Sequence, residues 1–175
     1  MAGVAATVNG ITAPVSAVAP DQLTIQIPYE TGAGPAVLGV NNNGQVAAYS
    51  FQVAPSAPGI FTDQNGGLVP VASGRPGQTL VMSITGEGDT SPVLANGSTP
   101  ALGTSQSRLP SPRLPVTMTI GGIQAQVVSA SIPSGFVGKT QISFKIPLDA
   151  APGVQPVVVT VGGVDSPPAN LTVTP

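Results

Sequence analysis

Glycine and proline punctuate this chain so often that no stretch free of both exceeds ten residues; Gln45–Ala54 and Ile123–Ile132 reach that length. An average α-helix runs about 11–12 residues. In a helix interior Pro costs about 3 kcal/mol and Gly about 1 kcal/mol. Helices are therefore held to single turns, and the architecture is expected to be β throughout.

The apolar pattern agrees. Leu23, Ile25 and Ile27 alternate with Thr24 and Gln26; Leu80, Met82 and Ile84 with Val81 and Ser83; Val116, Met118 and Ile120 with Thr117 and Thr119; Ile142, Phe144 and Ile146 with Ser143 and Lys145. Period 2 sends one set to a buried face and the other to solvent, so Ile25, Ile27, Ile142, Phe144 and Ile146 are expected core residues. Between such runs stand Asn9-Gly10, Asn43-Gly44, Gly121-Gly122 and Gly162-Gly163. These dipeptides tolerate the positive φ of two-residue hairpin turns. Short strands at close spacing with Gly-rich turns indicate a β-sandwich.

An internal repeat organises the chain. TVNGITAPVSAV (Thr7–Val18) matches TIGGIQAQVVSA (Thr119–Ala130), and after a seven-residue insertion QLTIQIPYE (Gln22–Glu30) matches QISFKIPLD (Gln141–Asp149). Phe51, Val53 and Pro55 then fall opposite Leu171, Val173 and Pro175. Each copy reads as a hairpin, a strand ending in Ile-Pro, and a second hairpin. The copies are unequal: a strand at Gln78–Thr85 leads into the second, whereas nothing comparable precedes Val4. The expected units are 1–57, apparently truncated, and 58–175, with a long Ser/Pro-rich loop at about 87–115 that reads as loosely packed. A sandwich short of a strand exposes an edge. The segment Gly59–Val71 is expected to cover it, strand exchange with another chain being the alternative. The chain is then a monomer or weak dimer with its weakest packing in residues 1–20.

TVNGITAP (7–14), the run to QIPYE (26–30), APGIF (57–61), PGQTLVMSITGEG (76–88) and VTMTIGGIQAQV through FVGKTQISFKIP (116–147) together resemble an uncharacterised C-terminal domain family. It recurs in large secreted and surface proteins of soil Acidobacteria (a Solibacter-type C-terminal domain). The resemblance covers nearly the whole chain. It implies an all-β fold of two tandem immunoglobulin-like β-sandwich units at the C-terminus of exported proteins, and it brings no catalytic residues. Family members usually carry further strand-forming sequence before the VNG hairpin, which is missing here.

Composition narrows the chemistry. There is no His and no Cys, which excludes a Ser–His–Asp triad, a Cys–His pair and the common zinc sites. Charged residues make up 7% of the chain, against about 25% in a typical soluble domain. Five Lys and Arg are too few for the clustered basic surface that nucleic acid or an anionic membrane requires. No apolar run approaches the roughly 18 residues of a membrane helix. MAGVAATVNG lacks the basic start and apolar core of a signal peptide, so the export signal of an extracellular or cell-surface protein is expected upstream, with Met1 the start of an excised piece.

The acids are the remaining candidates. Glu30 and Asp149 are equivalent positions of the repeat and read as turn or cap residues rather than as a glycosidase pair. Calcium needs six to eight oxygens; Glu87 with Asp89 and Asp63 with Asn65 are its candidates, although neither loop has an EF-hand spacing. Solvated loop acids are the favoured reading, with no cofactor and no required metal. Tyr29, Tyr49 and Phe136 are expected to pack, and Lys145 to be solvated. The expected function is a non-catalytic structural or adhesion module whose partners are protein or polysaccharide. The alternative is an accessory module binding polysaccharide or calcium for a larger secreted enzyme.

Overall fold

The computed structural model describes residues 3–175; Met1 lies outside them. The chain is all-β: apart from two single-turn 3-10 helices, at Tyr29–Thr31 and Gln106–Arg108, the regular elements are strands.

The N-terminal portion contains β1 (Val4–Val8), β2 (Ile11–Ala13), β3 (Val15–Val18), β4 (Leu23–Ile25), β5 (Gly34–Asn42) and β6 (Gln45–Val53). One sheet has the order β2-β1-β5-β6, and β3 pairs β4 in another. Ala6, Val8, Ala13 and Ala36 form the buried centre between them, with Val15, Leu23, Ile25, Leu38, Phe51 and Val53 packed around it. The C-terminal portion contains β7 (Gly59–Ile60), β8 (Ser73–Gly74), β9 (Thr79–Thr85), β10 (Thr90–Ser91), β11 (Ser111–Pro112), β12 (Val116–Ile120), β13 (Ile123–Ser131), β14 (Thr140–Lys145), β15 (Gly153–Val161), β16 (Val164–Asp165) and β17 (Ala169–Val173). Its strands run β7-β9-β14-β13-β12-β15-β17-β8, with β16 on β15. The long strand β13 pairs β12 at its start and β14 from Gln126 onward, with a bulge between Val127 and Ser129. The bend lets the sheet fold over on itself. Leu80, Met82 and Ile84 of β9 and Ile142 and Phe144 of β14 thereby share one core with Met118 and Ile120 of β12 and Val157, Val159 and Val161 of β15.

The two portions follow one pairing plan. β1 pairs β2 and β5 as β12 pairs β13 and β15; β5 pairs β6 as β15 pairs β17; β3 pairs β4 as β13 pairs β14. The bulge recurs between Val15 and Ala17. Where β13 is continuous, Pro14 separates β2 from β3, because proline has no N–H to give the ladder. The hairpin dipeptides behave as expected. Asn9 and Gly10 (φ 51 and 81), Asn43 and Gly44 (51 and 91), Gly121 and Gly122 (58 and 80), and Gly162 and Gly163 (60 and 86) all sit at positive φ, as a type I′ turn requires at both central positions.

Several expectations need correction. Ile142, Phe144 and Ile146 are fully buried, but Ile25 is only half-buried and Ile27 is 38% exposed. The difference lies in the neighbours: β14 is flanked by β13 and β9, whereas β4 pairs only β3. The segment Gly59–Val71 does not cover that gap. Gly59 and Ile60 pair β9, and the Leu68 N–H donates to Asn170 O at 3.0 Å. Leu68 is 1% exposed in the C-terminal core, and burying such a side chain is worth about 1.5–3 kcal/mol, which holds the segment there. The loop 87–115 is not loose: β10 pairs β11, and the Ile132 N–H donates to Pro110 O at 2.8 Å. Tyr49 (69% exposed) and Phe136 (50% exposed) are not core residues. The Phe136 ring instead carries the Lys139 ammonium, 4.6 Å from its centroid, a cation–π contact.

Matched positions should therefore respond unequally to truncation. Phe144→Ala is expected to cost about 3–5 kcal/mol, from lost transfer energy and the cavity left behind, and Ile25→Ala about 1–2 kcal/mol. Urea melts of the two variants check this; equal losses would contradict the open character of β4.

Candidate functional site

Side chains from both portions of the chain hydrogen-bond to one another around Tyr29, Glu30, Glu87 and Asn96. The link between the two portions is held against the C-terminal portion. Ser56, 2% exposed, donates its hydroxyl to Val161 O at 2.8 Å, and the Ala57 N–H donates to Gly86 O at 2.9 Å. Gly86 and Gly88 sit at φ 74 and 76, and a Cβ on either would run into the carbonyl of Ala57 or Pro55. Glycine is thus needed on both sides of Glu87 for the link to approach.

That approach buries Glu87, which is 3% exposed. Tyr29, at the start of the 3-10 turn after Pro28, donates its hydroxyl to Glu87 Oε1 at 3.4 Å. Desolvation raises the Glu87 pKa; its own backbone N–H, the Tyr29 hydroxyl and the Thr140 hydroxyl oppose the rise by favouring the ionised form. Thr140 Oγ1 is buried and meets no partner at full hydrogen-bonding geometry. Burial first, and then the charge of Glu87, push the Tyr29 phenol up to about 12. A buried carboxylate is costly unless partnered, so this pair fixes the Tyr29 ring against the C-terminal portion.

A second set of contacts comes from the loop after β10. Asn96 Oδ1 accepts the Tyr29 N–H at 3.0 Å, while Asn96 Nδ2 donates to Glu30 Oε2 at 2.7 Å. Next to it the Gly97 N–H donates to Gln26 Oε1 at 2.7 Å. The loop is shaped by Thr90, whose hydroxyl donates to Pro92 O at 3.1 Å, and by Arg113, whose Nε–H donates to Thr90 O at 3.1 Å. Together these groups leave a cleft of about 240 Å³ lined by Tyr29, Glu30, Asp89, Thr90, Val93, Leu94 and Arg113.

The calcium candidates are thereby assigned places. Glu87 and Asp89 lie at the junction, Glu87 turned inward to Tyr29 and Asp89 on the cleft. In the other loop Asp63 Oδ1 accepts the N–H groups of Asn65 and Gly67, both at 2.8 Å, and so caps its own turn. Among the described residues no group of three or more His, Cys, Asp and Glu side chains stands together as metal ligands would. Glu30 is joined to Asn96, whereas Asp149 lies on the turn after β14 that closes with the Ala150 N–H on Pro147 O. Sequence reasoning missed Asn96, Gln26 and Arg113. The alternation around Leu23 and Ile25 assigned Gln26 only to a solvent face, and Asn96 sits in a Ser/Pro-rich loop without periodic signal.

No family model matches the chain, and no curated protein matches it. Solved structures resemble it distantly, each at 13% identity. A Bacteroides ovatus mixed-linkage glucan utilization locus protein, SGBP-B, solved with a mixed-linkage heptasaccharide, aligns over 98% of this chain and 36% of its own with a TM-score of 0.37. Domains 4-9 of the surface layer protein SbsC align over 99% and 22% with a TM-score of 0.33. The tandem Ig domains of titin align over 97% and 79% with a TM-score of 0.29. The chain thus spans about a third of the first of these proteins and about a fifth of the second.

The Tyr29–Glu87 pair makes stability depend on pH at both ends. A carboxyl whose pKa is raised by folding binds its proton more readily in the native than in the unfolded chain, so stability is greatest below the unfolded Glu value near 4.3 and falls as pH rises through the folded value. Glu87→Gln keeps an acceptor for Tyr29 and should remove this slope in urea melts run upward in pH from the unfolded Glu value. Tyr29 obeys the same sign: its contribution is lost as pH rises from 10.0 toward about 12, and Tyr29→Phe should flatten that limb. An unchanged slope in either variant would mean that the pair is solvated.

Proposed function

We propose that the chain is a non-catalytic structural or adhesion module of a secreted or cell-surface protein. It is built from two immunoglobulin-like units, 1–57 and 58–175, that the Tyr29–Glu87–Asn96 junction holds in fixed relation. The observation that carries this reading is the double engagement of Asn96, which accepts from the Tyr29 backbone and donates to Glu30 across the junction. Acidic groups that would otherwise serve chemistry are used to hold the chain. Of seven Asp and Glu residues, Glu30, Asp63, Glu87 and Asp165 all hydrogen-bond to other groups of the same chain. The resemblance to C-terminal domains of Acidobacterial surface proteins supports an extracellular setting, as does a surface wetted by Ser, Thr, Asn and Gln rather than by charge.

One observation favours a second reading, an accessory ligand-binding module: the junction cleft, where Asp89, Arg113 and the Tyr29 ring face one space of about 240 Å³. A polar sugar ring or a cation with its waters fits that chemistry.

The two readings separate experimentally. For a structural module, Asn96→Ala combined with Gln26→Ala should loosen the joint, read as separate rotational tumbling of the two portions in NMR relaxation. Calcium calorimetry and a glycan array should stay silent, and a chelator should leave the melting temperature unchanged. Saturable binding lost in Asp89→Asn or Arg113→Gln would establish the second reading in its place.

A further inference from the structure

The chain has four Asn-Gly dipeptides, at Asn9, Asn43, Asn65 and Asn96. Glycine leaves the backbone nitrogen after asparagine unhindered, so this dipeptide deamidates without an enzyme. The glycine nitrogen attacks the asparagine Cγ, the Cγ–Nδ2 bond breaks, and ammonia leaves with the proton of the glycine N–H. Water then opens the succinimide ring at either carbonyl, which gives aspartate or isoaspartate. The two reacting atoms must come into contact, so a hydrogen bond on the side-chain amide or on the glycine N–H holds the reaction back.

The four sites are held in different ways. Asn9 Oδ1 accepts the Val37 N–H at 2.9 Å, and its Nδ2 donates to Pro35 O at 3.3 Å. At Asn43 the holding groups are the neighbours Asn42 and Asn41, the latter accepting the Gly44 N–H at 2.8 Å. Asn65 is exposed, and its side-chain amide has no hydrogen-bond partner among the described residues; only the Gly66 N–H is held, by Asp63 O at 3.1 Å. At Asn96 both reacting groups are held, and every holding group comes from the N-terminal portion. The Tyr29 N–H and Glu30 Oε2 hold the amide at 3.0 and 2.7 Å, and Gln26 Oε1 holds the Gly97 N–H at 2.7 Å. The closed junction itself asks for glycine here: Gly97 sits at φ 71, and a Cβ would stand 3.0 Å from Pro14 Cγ.

From this we infer that Asn96 is a deamidation site which the docked N-terminal portion protects, and whose conversion releases the junction irreversibly. The product carries a carboxylate where Nδ2 donated to Glu30 Oε2. That hydrogen bond is lost, and two carboxylates in contact repel. Isoaspartate also lengthens the main chain by one carbon, which carries the Gly97 N–H away from Gln26. The reaction is blocked while the contacts stand, and its product prevents them from forming again. The inference rests on the junction hydrogen bonds and on neither reading of the function.

The test incubates the full chain in mildly alkaline buffer and follows each dipeptide by peptide mapping, with an isoaspartyl methyltransferase as the probe for isoaspartate. Asn65 is the internal reference. In the intact chain Asn96 should convert at least about tenfold more slowly than Asn65, the difference that one hydrogen bond of ordinary net strength makes. Gln26→Ala combined with Glu30→Ala frees both reacting groups and should speed Asn96 at least about tenfold, with the Asn65 rate unchanged. Should Asn65 speed up as well, Gln26→Ala alone gives the comparison. Asn96→Asp mimics the product and should speed amide exchange at Tyr29 at least about tenfold; adding Glu30→Gln returns a donor to the pair and should restore protection. Three results would overturn the inference: Asn96 converting as fast as Asn65 in the intact chain, no acceleration in the Gln26 variants, or full protection of the Tyr29 amide in Asn96→Asp. Neither calorimetry nor a glycan array enters these rates, so the outcome is separate from that of the functional reading.

Discussion

Two-residue turns with both central residues at positive φ fix the register of four hairpins, and register decides which side chains reach a core. In a strand a slip of one residue turns every side chain to the other face. The turns at Asn9-Gly10 and Gly121-Gly122 place Val8 opposite Ile11 and Ile120 opposite Ile123. The turns at Asn43-Gly44 and Gly162-Gly163 then set Asn42 against Gln45 and Val161 against Val164. Once these pairs are set, Val8 and Ile120 both fall at 0% exposure in the centres of their respective cores. A β-branched residue at any of these turn positions would be strained in the backbone.

From the same register the portions diverge in closure. The C-terminal core collects Phe144, three Ile from β9, β12 and β14, and three Val from β15 under a sheet that bends at the β13 bulge. The buried centre of the N-terminal portion consists of three Ala and one Val. Hydrophobic stabilisation grows with apolar area removed from water, at about 25 cal/mol per Å², so the smaller side chains at this centre make a weaker core. The N-terminal portion therefore draws on its neighbour, and the hydrogen bonds from Asn96 and Gly97 supply part of what its own interior lacks.

The local elements were legible because each rests on local rules. The Gly/Pro spacing excluded helices, and alternation identified β9, β12 and β14 and their inward side chains. Burial in β4 was not legible, because Leu23, Ile25 and Ile27 have the same alternation as Ile142, Phe144 and Ile146; only the presence of a second flanking strand separates the two sets. Tyr49 misled for the same reason, since its strand context resembles that of a packed residue and its exposure follows from what does not cover it. Glu87 stood out in sequence, but its partner Tyr29 lies 58 residues away. Asn96 carried no signal, because a hydrogen-bonding role in a nonperiodic loop depends on tertiary approach alone.

The junction makes use of the low charge of the chain. A joint built from surface ion pairs would contribute little and weaken in salt. Here most contacts are amide to backbone or amide to carboxylate, geometries set by direction rather than by long-range attraction: Asn96 to Tyr29 N, Asn96 to Glu30, Gln26 to Gly97 N. Glu87 is the exception. A desolvated carboxylate stabilises poorly, and an apolar residue of similar volume often serves stability as well or better. What Glu87 adds is position, since a carboxylate accepts the Tyr29 hydroxyl at one place and an apolar side chain would let the ring slide. Two flanking glycines keep the link close enough for that contact. Direction, more than attraction, is therefore what these residues contribute where the two portions of the chain meet.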